Sequence, residues 1–409
     1  MINKLFKSQY IIFYDQLLVS FSNFLIIILI QKLSGLFILG AFSFIWTFGL
    51  LIFSIQNSLI LSPNFTEIKL LKQKEISQQI TTIIIFELIF FLLIYFFLWI
   101  FFINFNSNYL DNLNLQFNTV YFSIFFFIFF TILKKVLFSL NKILIVLITD
   151  FLTYLLFFII FFYFYKNYLI SLETIFKSYL ISFIIGTLIL FTFIFKNLTV
   201  PKNFFLYLIN LLKLGYPLLV SQIFQFFGAH YWFLCLGSIA GYTVLGVVRS
   251  ITNLTQFFNI FFQFFENFYP SNWSLLYIKY GKLRLYSEIK SFLKFYFSVT
   301  LFCTLILITF SNELLKLIYN ASLIEFNYIF QILLFLPILQ MFQFPYQIGF
   351  RILKKSKYIS LAYFWSALFS LFFAQYLIDK FNVNGFIAGM FVVIIIPITY
   401  MILKFYKES

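Results

Sequence analysis

Apolar runs of about 20 residues, separated by short polar stretches, fill this chain from end to end. They fall near 11–31, 38–62, 80–103, 118–139, 143–165 and 173–196, then near 211–235, 241–264, 289–311, 327–350, 358–378 and 384–404. At about 1.5 Å of rise per residue, each run covers a hydrocarbon core of ~30 Å as a helix, so the pattern predicts about twelve transmembrane helices. The first run is too long for a signal peptide and lacks a small-residue cleavage site. The polar exceptions inside the runs carry more information. In the eighth span Arg249, Asn253, Gln256 and Gln263 follow at spacings of four, three and seven, close to one helical face. Subtracting 206 gives Ser43, Thr47, Leu50 and Asn57 in the second span, three of them polar. The flanks agree, with Ser34-Gly35-Leu36-Phe37-Ile38-Leu39-Gly40 against Ala240-Gly241-Tyr242-Thr243-Val244-Leu245-Gly246. A mid-span arginine costs roughly 2.5–3.5 kcal/mol on insertion scales, so it faces a cavity or a partner. Two related wet faces predict two related halves around a shared cavity, as in a transporter.

Other matches extend the repeat. Leu17-Leu18-Val19-Ser20 reads against Leu218-Leu219-Val220-Ser221, and Pro63 closes the second span as Pro270 closes the eighth. Ile132-Leu133-Lys134-Lys135 ends the fourth span as Ile352-Leu353-Lys354-Lys355 ends the tenth. Together these pair spans 1/7, 2/8 and 4/10 and place the halves at 1–200 and 201–409. An even number of helices per half relates the halves by an axis along the membrane normal.

Composition fits this reading. The chain has 409 residues, 63% hydrophobic and 10% charged, more apolar surface than a soluble domain can bury. Its +15 charge would suit nucleic acid, but the placement of the basic residues points elsewhere. Of 28 lysines and arginines, 22 lie at the termini and even-numbered loops, four on the opposite side, and Lys177 and Arg249 within spans. The positive-inside rule then puts both termini in the cytoplasm, and the basic charge meets anionic membrane lipids, not nucleic acid. The segment 271–290, with Trp273, Lys279, Lys282 and Arg284, reads as an amphipathic helix on the cytoplasmic surface. Cys235 and Cys303 form no spaced pair and His230 is the single histidine, so neither a metal site nor a cofactor is expected. The outer loops are short, the longest near 104–117 and 311–326, and no glycine-rich phosphate loop occurs. A membrane enzyme acting on lipid-linked sugars has no room for its chemistry here.

Scattered positions along the chain carry a resemblance to one family. It is carried by Asp15-Gln16-Leu17-Leu18-Val19-Ser20 with Asn23-Phe24-Leu25, by the glycine-spaced turn Gly35 to Gly40, and by Gln56-Asn57-Ser58 with Ser62-Pro63. Lys134-Lys135 ahead of Asp150, Gly215-Tyr216-Pro217 and Leu317-Ile318-Tyr319-Asn320 continue it across the chain. In these positions the chain resembles the O-antigen (Wzx-type) polysaccharide flippases of the multidrug/oligosaccharidyl-lipid/polysaccharide exporter superfamily. Asn320 stands where family members often have glycine, a turn residue that also tolerates positive φ. The resemblance implies an all-α, MATE-like fold of twelve helices, with helices 1, 2, 7 and 8 lining a central cavity. It implies alternating access in a bacterial cytoplasmic (inner) membrane, moving an undecaprenyl-pyrophosphate-linked oligosaccharide to the outer leaflet. Glycan polymerase machinery is a candidate partner, and protons or sodium are candidate coupling ions. The alternative is a multidrug or small-cation antiporter of the same fold.

Orienting each span puts Asp15, Glu87 and Asp150 in the cytoplasmic half, and Lys177, His230 and Arg249 in the outer half. Under the resemblance, Arg249 is the candidate pyrophosphate contact, because guanidinium offers planar bidentate donors; the alternative is an ion pair with Asp15 or Glu87. Asp15, Glu87 and Asp150 are the ion-coupling candidates, with interfacial pairing to a lysine such as Lys7 as the plainer reading of Asp15. Lys177 is a cavity cation or a snorkelling one, and His230 a proton relay or an interfacial residue. Gln340, Gln343 and Gln347 share a face, where they bond sugar hydroxyls or act as amide glue between helices. Asn253, Gln256, Gln263, Ser43, Thr47 and Asn57 complete the candidate cavity lining. Pro217, Pro337 and Pro345 are expected to kink the seventh and tenth spans.

Overall fold

The structure, a computed structural model, describes residues 2–61, 73–104, 115–140, 142–167, 170–195, 198–199 and 204–407. Ser62 and Pro63 fall outside them. Among the described residues regular structure is wholly helical. The elements are α1 (Ile2–Gln56), a π-helical turn (Asn57–Leu61), α2 (Gln73–Asn104), α3 (Phe117–Ser139), α4 (Ile143–Lys166) and α5 (Leu172–Phe195). Then come α6 (Phe204–Ala229), α7 (Tyr231–Ile239), α8 (Tyr242–Thr255), α9 (Phe257–Thr309) and α10 (Ser311–Tyr319). A 3-10 turn (Asn320–Phe326), α11 (Asn327–Leu333), α12 (Leu336–Ile352) and α13 (Lys357–Lys407) complete the chain.

Nine described helices are long and apolar enough to cross a membrane. Two of them, α1 and α13, each hold two predicted spans, broken at Gly35 and Asn382, which take positive φ. The predicted span at 241–264 is divided at Gln256 between α8 and the start of α9. All twelve predicted spans therefore have helical counterparts. Large apolar side chains such as Leu92, Phe302, Phe372 and Leu403 stand mostly exposed along them, as lipid-facing positions must. The protein is a multi-pass membrane protein.

Two sequence expectations need correction. Pro270 does not close a helix. It lies inside α9, whose break comes at Gly281 (φ 74), so the predicted surface helix at 271–290 is divided there. A mid-helix proline removes one hydrogen bond and can persist where neighbouring groups satisfy the freed carbonyl. Lys134-Lys135 and Lys354-Lys355 are not equivalent either. The first pair is helical within α3, whereas Lys354 has left the end of α12 with φ 56.

The chain divides into two compact units, one of Met1–Ser22 and Gly49–Leu219 and one of Asn23–Phe48 and Val220–Ser409. Within the second unit the repeat takes structural form. Gly35 (φ 87, ψ 172) and Gly241 (φ 91, ψ 165), 206 residues apart, make the same break, which a Cβ would strain. Five residues on, a Cβ built on Gly40 would overlap the carbonyl of Tyr242, and one on Gly246 would overlap the carbonyl of Leu36. Tyr242 is itself Leu36 plus 206. The contact is therefore reciprocal, residue i on j′ and j on i′, as about a local twofold axis. Small residues let the two backbones meet. Carried back along the chain, this register sets Gln16 against Gln222. The Leu17–Ser20 match to Leu218–Ser221, at an offset of 201, is out of register by five.

Candidate functional site

Each unit holds one polar concentration. In the first unit Asp15 on α1, Lys134 on α3 and Asp150 on α4 converge. The Lys134 ammonium lies 3.0 Å from Asp15 Oδ2 and pairs with Asp150 Oδ2, both carboxylates being 0% exposed. Gln16 Nε2 adds a 3.3 Å hydrogen bond to Asp15. Buried charges are tolerated only when paired this closely. Sequence reading counted Lys134 as a loop cation; the structure makes it the buried partner of two carboxylates and so the lysine that pairs with Asp15, while the Lys7 side chain lies outside the described residues. The other carboxylate oxygens, Asp15 Oδ1 and Asp150 Oδ1, are buried without a hydrogen-bond partner. Elsewhere in the first unit, Gln56 Nε2 donates to Glu87 Oε2 at 2.6 Å, both side chains buried. Lys135 donates to Asn57 Oδ1 at the π-helical turn and lies 5.4 Å over the Phe53 ring. Asp15 is thus paired with Lys134 and Glu87 with Gln56, each within the first unit.

In the second unit a cavity of about 400 Å³ opens between α6, α9, α12 and α13. Its polar lining consists of Ser221, Gln222 and Gln225 from α6, Asn259 from α9, and Gln340, Gln343, Gln347 and Arg351 from α12, with Tyr363 from α13. The α12 residues recur at spacings of three, four and four, one helical face. Gln343 Nε2 donates to Tyr363 Oη at 3.0 Å and Gln347 Nε2 donates to the same oxygen. Gln222 Nε2 donates to Gln225 Oε1 at 3.2 Å. An amide both donates and accepts, so a lining of this kind suits hydroxyl groups. Among the described residues, none of those lining the cavity is acidic.

Three predicted residues, Gln340, Gln343 and Gln347, come together here. Gln222, Gln225 and Asn259 escaped sequence reading although amides three apart in an apolar span were a usable signal; Tyr363, one of 27 tyrosines, carried none. Arg351 was read as a topological charge. The stripe residues lie elsewhere. Asn253 is fully buried, its Nδ2 donating to Phe24 O at 3.1 Å and to Tyr319 Oη at 3.3 Å, while Tyr319 donates to Ser250 O. It fastens α8 to α1 and α10. Arg249 is half-buried within electrostatic reach of His230 and Tyr319, and His230 packs its ring 5.2 Å from Phe226. Gln256 sits at the α8–α9 joint, its N–H bonded to Asn253 O. The Gln263 side chain lies outside the described residues. Ser43 and Thr47 are buried, and Thr47 bonds back to Ser43 O of its own helix. Lys177, in the second turn of α5, pairs with Glu173 at 2.6 Å and is 43% exposed. Pro217 and Pro345 lie inside α6 and α12, whereas Pro337 begins α12, where a proline is well tolerated.

No protein-family model and no curated protein matches the chain. Solved structures do. An inward-facing multidrug resistance MATE family transporter of the MOP superfamily superposes with a TM-score of 0.72 at 13% identity, covering 94% of each chain. The lipid II flippase MurJ in an inward closed conformation gives 0.64 at 16% identity, covering 98% of this chain and 87% of that one. A MOP superfamily transporter from Pyrococcus furiosus, described as having a binding pocket of reverse polarity, gives 0.59 at 14%, covering 97% and 94%. At these identities the likeness establishes the fold, which is that of MATE-type transporters.

Proposed function

We propose that this chain is a flippase that carries an undecaprenyl-pyrophosphate-linked oligosaccharide across the bacterial cytoplasmic membrane, both termini being cytoplasmic. The glycan is an O-antigen, capsule or related unit. One observation carries the reading: the amide-lined cavity of the second unit, suited to hydroxyl groups and without an acidic side chain among its described lining residues. The sugars occupy this cavity while the prenyl tail stays in lipid. The shared fold of a lipid II flippase supports the same class of substrate. Asp15, Glu87 and Asp150 supply the coupling chemistry. Because Lys134 already fills the gap between two of them, the transported ion in this reading is the proton and not sodium.

The second reading, export of a small cation, draws on the same buried carboxylates and on the fold shared with multidrug transporters. Proteoliposomes separate the two. An undecaprenyl-diphosphate trisaccharide with a quenchable sugar label should move between leaflets with wild-type protein and be retained by a variant combining Q340L, Q343L and Q347L. Failure of the wild type to move it, together with proton-driven ethidium uptake, would replace the flippase with the antiporter.

A further inference from the structure

The end of the glutamine row is the feature that neither the fold nor the amide lining explains. Gln340, Gln343, Gln347 and Arg351 lie on one face of α12 and line one cavity. From first to last the row advances by eleven positions, about 16 Å at 1.5 Å per residue. Arg351 is the single charged member of the cavity's described lining. A last-turn arginine has ordinary reasons to exist, since cations favour helix C-termini and cytoplasmic ends. Those reasons apply equally to Lys354, Lys355 and Lys357, and none of these lines the cavity. Arg351 differs by standing in register with three cavity amides, four residues beyond Gln347.

We infer that Arg351 closes the glutamine row as an anion subsite, so that the cavity takes a polyhydroxylated chain bearing an oxyanion at the Arg351 end. Gln343 and Gln347 each spend one N–H on Tyr363, which fixes their amide planes and leaves a carbonyl and a second N–H for ligand hydroxyls. Guanidinium then offers paired donors to a phosphate or a carboxylate. The oxyanion comes either from the diphosphate of a lipid carrier or from an acidic sugar within the glycan. This assignment rests on the flippase reading for the identity of the sugar chain, but the anion subsite itself does not.

The test uses the full chain in lipid nanodiscs and calorimetric titration with two probes, inorganic pyrophosphate and a glucuronate-containing tetrasaccharide. R351Q should weaken the binding probe roughly tenfold or more, R351K should fall between, and K357Q should leave it unchanged. All variants should melt like wild type, because Arg351 is exposed. Arg351-dependent binding of pyrophosphate assigns the anion to the carrier, and of the tetrasaccharide alone to the sugar. Equal binding by wild type and R351Q, or binding of neither probe, overturns the subsite. Glycolipid movement without an Arg351 effect on either probe removes the subsite and keeps the flippase. Arg351-dependent anion binding without glycolipid movement does the reverse.

Discussion

Replacing Lys134 by methionine is the most informative single perturbation of the first unit. Its ammonium is the partner shared by Asp15 and Asp150, and both carboxylates are 0% exposed. Methionine keeps much of the side chain's bulk and removes the charge, stranding two buried anions beside each other. Breaking a buried pair costs about 3–5 kcal/mol, because the remaining charge stays uncompensated. At about 2–4 °C per kcal/mol for a unit of 150–250 residues, the melting temperature should fall on the order of 10 °C. The triple variant D15N/K134M/D150N removes all three charges together, and should recover most of that loss. The assay is thermal unfolding of the purified protein in detergent, followed by tryptophan fluorescence and by size-exclusion recovery. Sodium adds a second readout. Adding it should leave the wild-type melt in place, since the ammonium occupies the gap. It should stabilise K134M by RT ln(1 + [Na⁺]/Kd), about 2.7 kcal/mol at a hundred times Kd. A K134M protein that melts with wild type, or a triple variant as unstable as K134M, would refute the reasoning.

G40A and G246A should each destabilise the second unit by about 1–3 kcal/mol in the same melt, equally and less than additively, since each Cβ lands on the other helix's carbonyl and either alone separates the pair. Unequal or fully additive effects would remove the local twofold relation. N253L should cost about 1–3 kcal/mol by removing the buried amide's bonds to Phe24 O and Tyr319 Oη, which fasten α8 to α1 and α10, without altering transport by the folded fraction; a stable variant that fails to transport would return Asn253 to the ligand's path. Substituting Glu288, whose i,i+4 pair with Arg284 is partly exposed, should shift the melt by less than about 1 kcal/mol. S221D places a carboxylate in the amide cavity and should weaken pyrophosphate binding while creating binding of tetraphenylphosphonium, read by the same titration; unchanged affinities for both would mean that the lining does not set the cavity's polarity.

What could be read from the sequence was whatever is written within one helix. The spans show because about 20 consecutive apolar residues are a local property, and the α12 glutamines because spacings of three and four define a face without reference to anything else. The break glycines show because their conformational demand repeats at Gly35 and Gly241. Failures came where meaning depends on a distant partner. The stripe at Arg249 and Asn253 does mark a polar face, but a stripe does not say what it faces. For Asn253 the answer is Phe24 and Tyr319, 229 and 66 residues away. Lys134 has the sequence appearance of a loop lysine, and only the approach of Asp15 and Asp150 gives it another role. Pro270 misled because a bilayer-embedded helix can retain a proline that would end a soluble one.

The 206-residue register turns these particulars into a statement about divergence. Backbone demands are kept between the copies: Gly35 and Gly241 share a conformation, and Gly40 and Gly246 share a contact. Side-chain chemistry is not kept. Carried into the first predicted span, the same register sets Ser221 and Gln222 opposite Asp15 and Gln16. In one copy that position holds a buried carboxylate locked to Lys134; in the other it holds a hydroxyl and an amide lining open space. A buried ionic triad is costly to rearrange, because every intermediate leaves a charge unpaired. Amides exchange partners among themselves, water and ligand hydroxyls at little cost, since each retains donors and acceptors throughout. In the proposed reading, the copy that takes up and releases a bulky polar ligand is therefore the one lined by amides, with Arg351 its single charged described member, and the copy that answers to a proton is the one whose two carboxylates share one lysine.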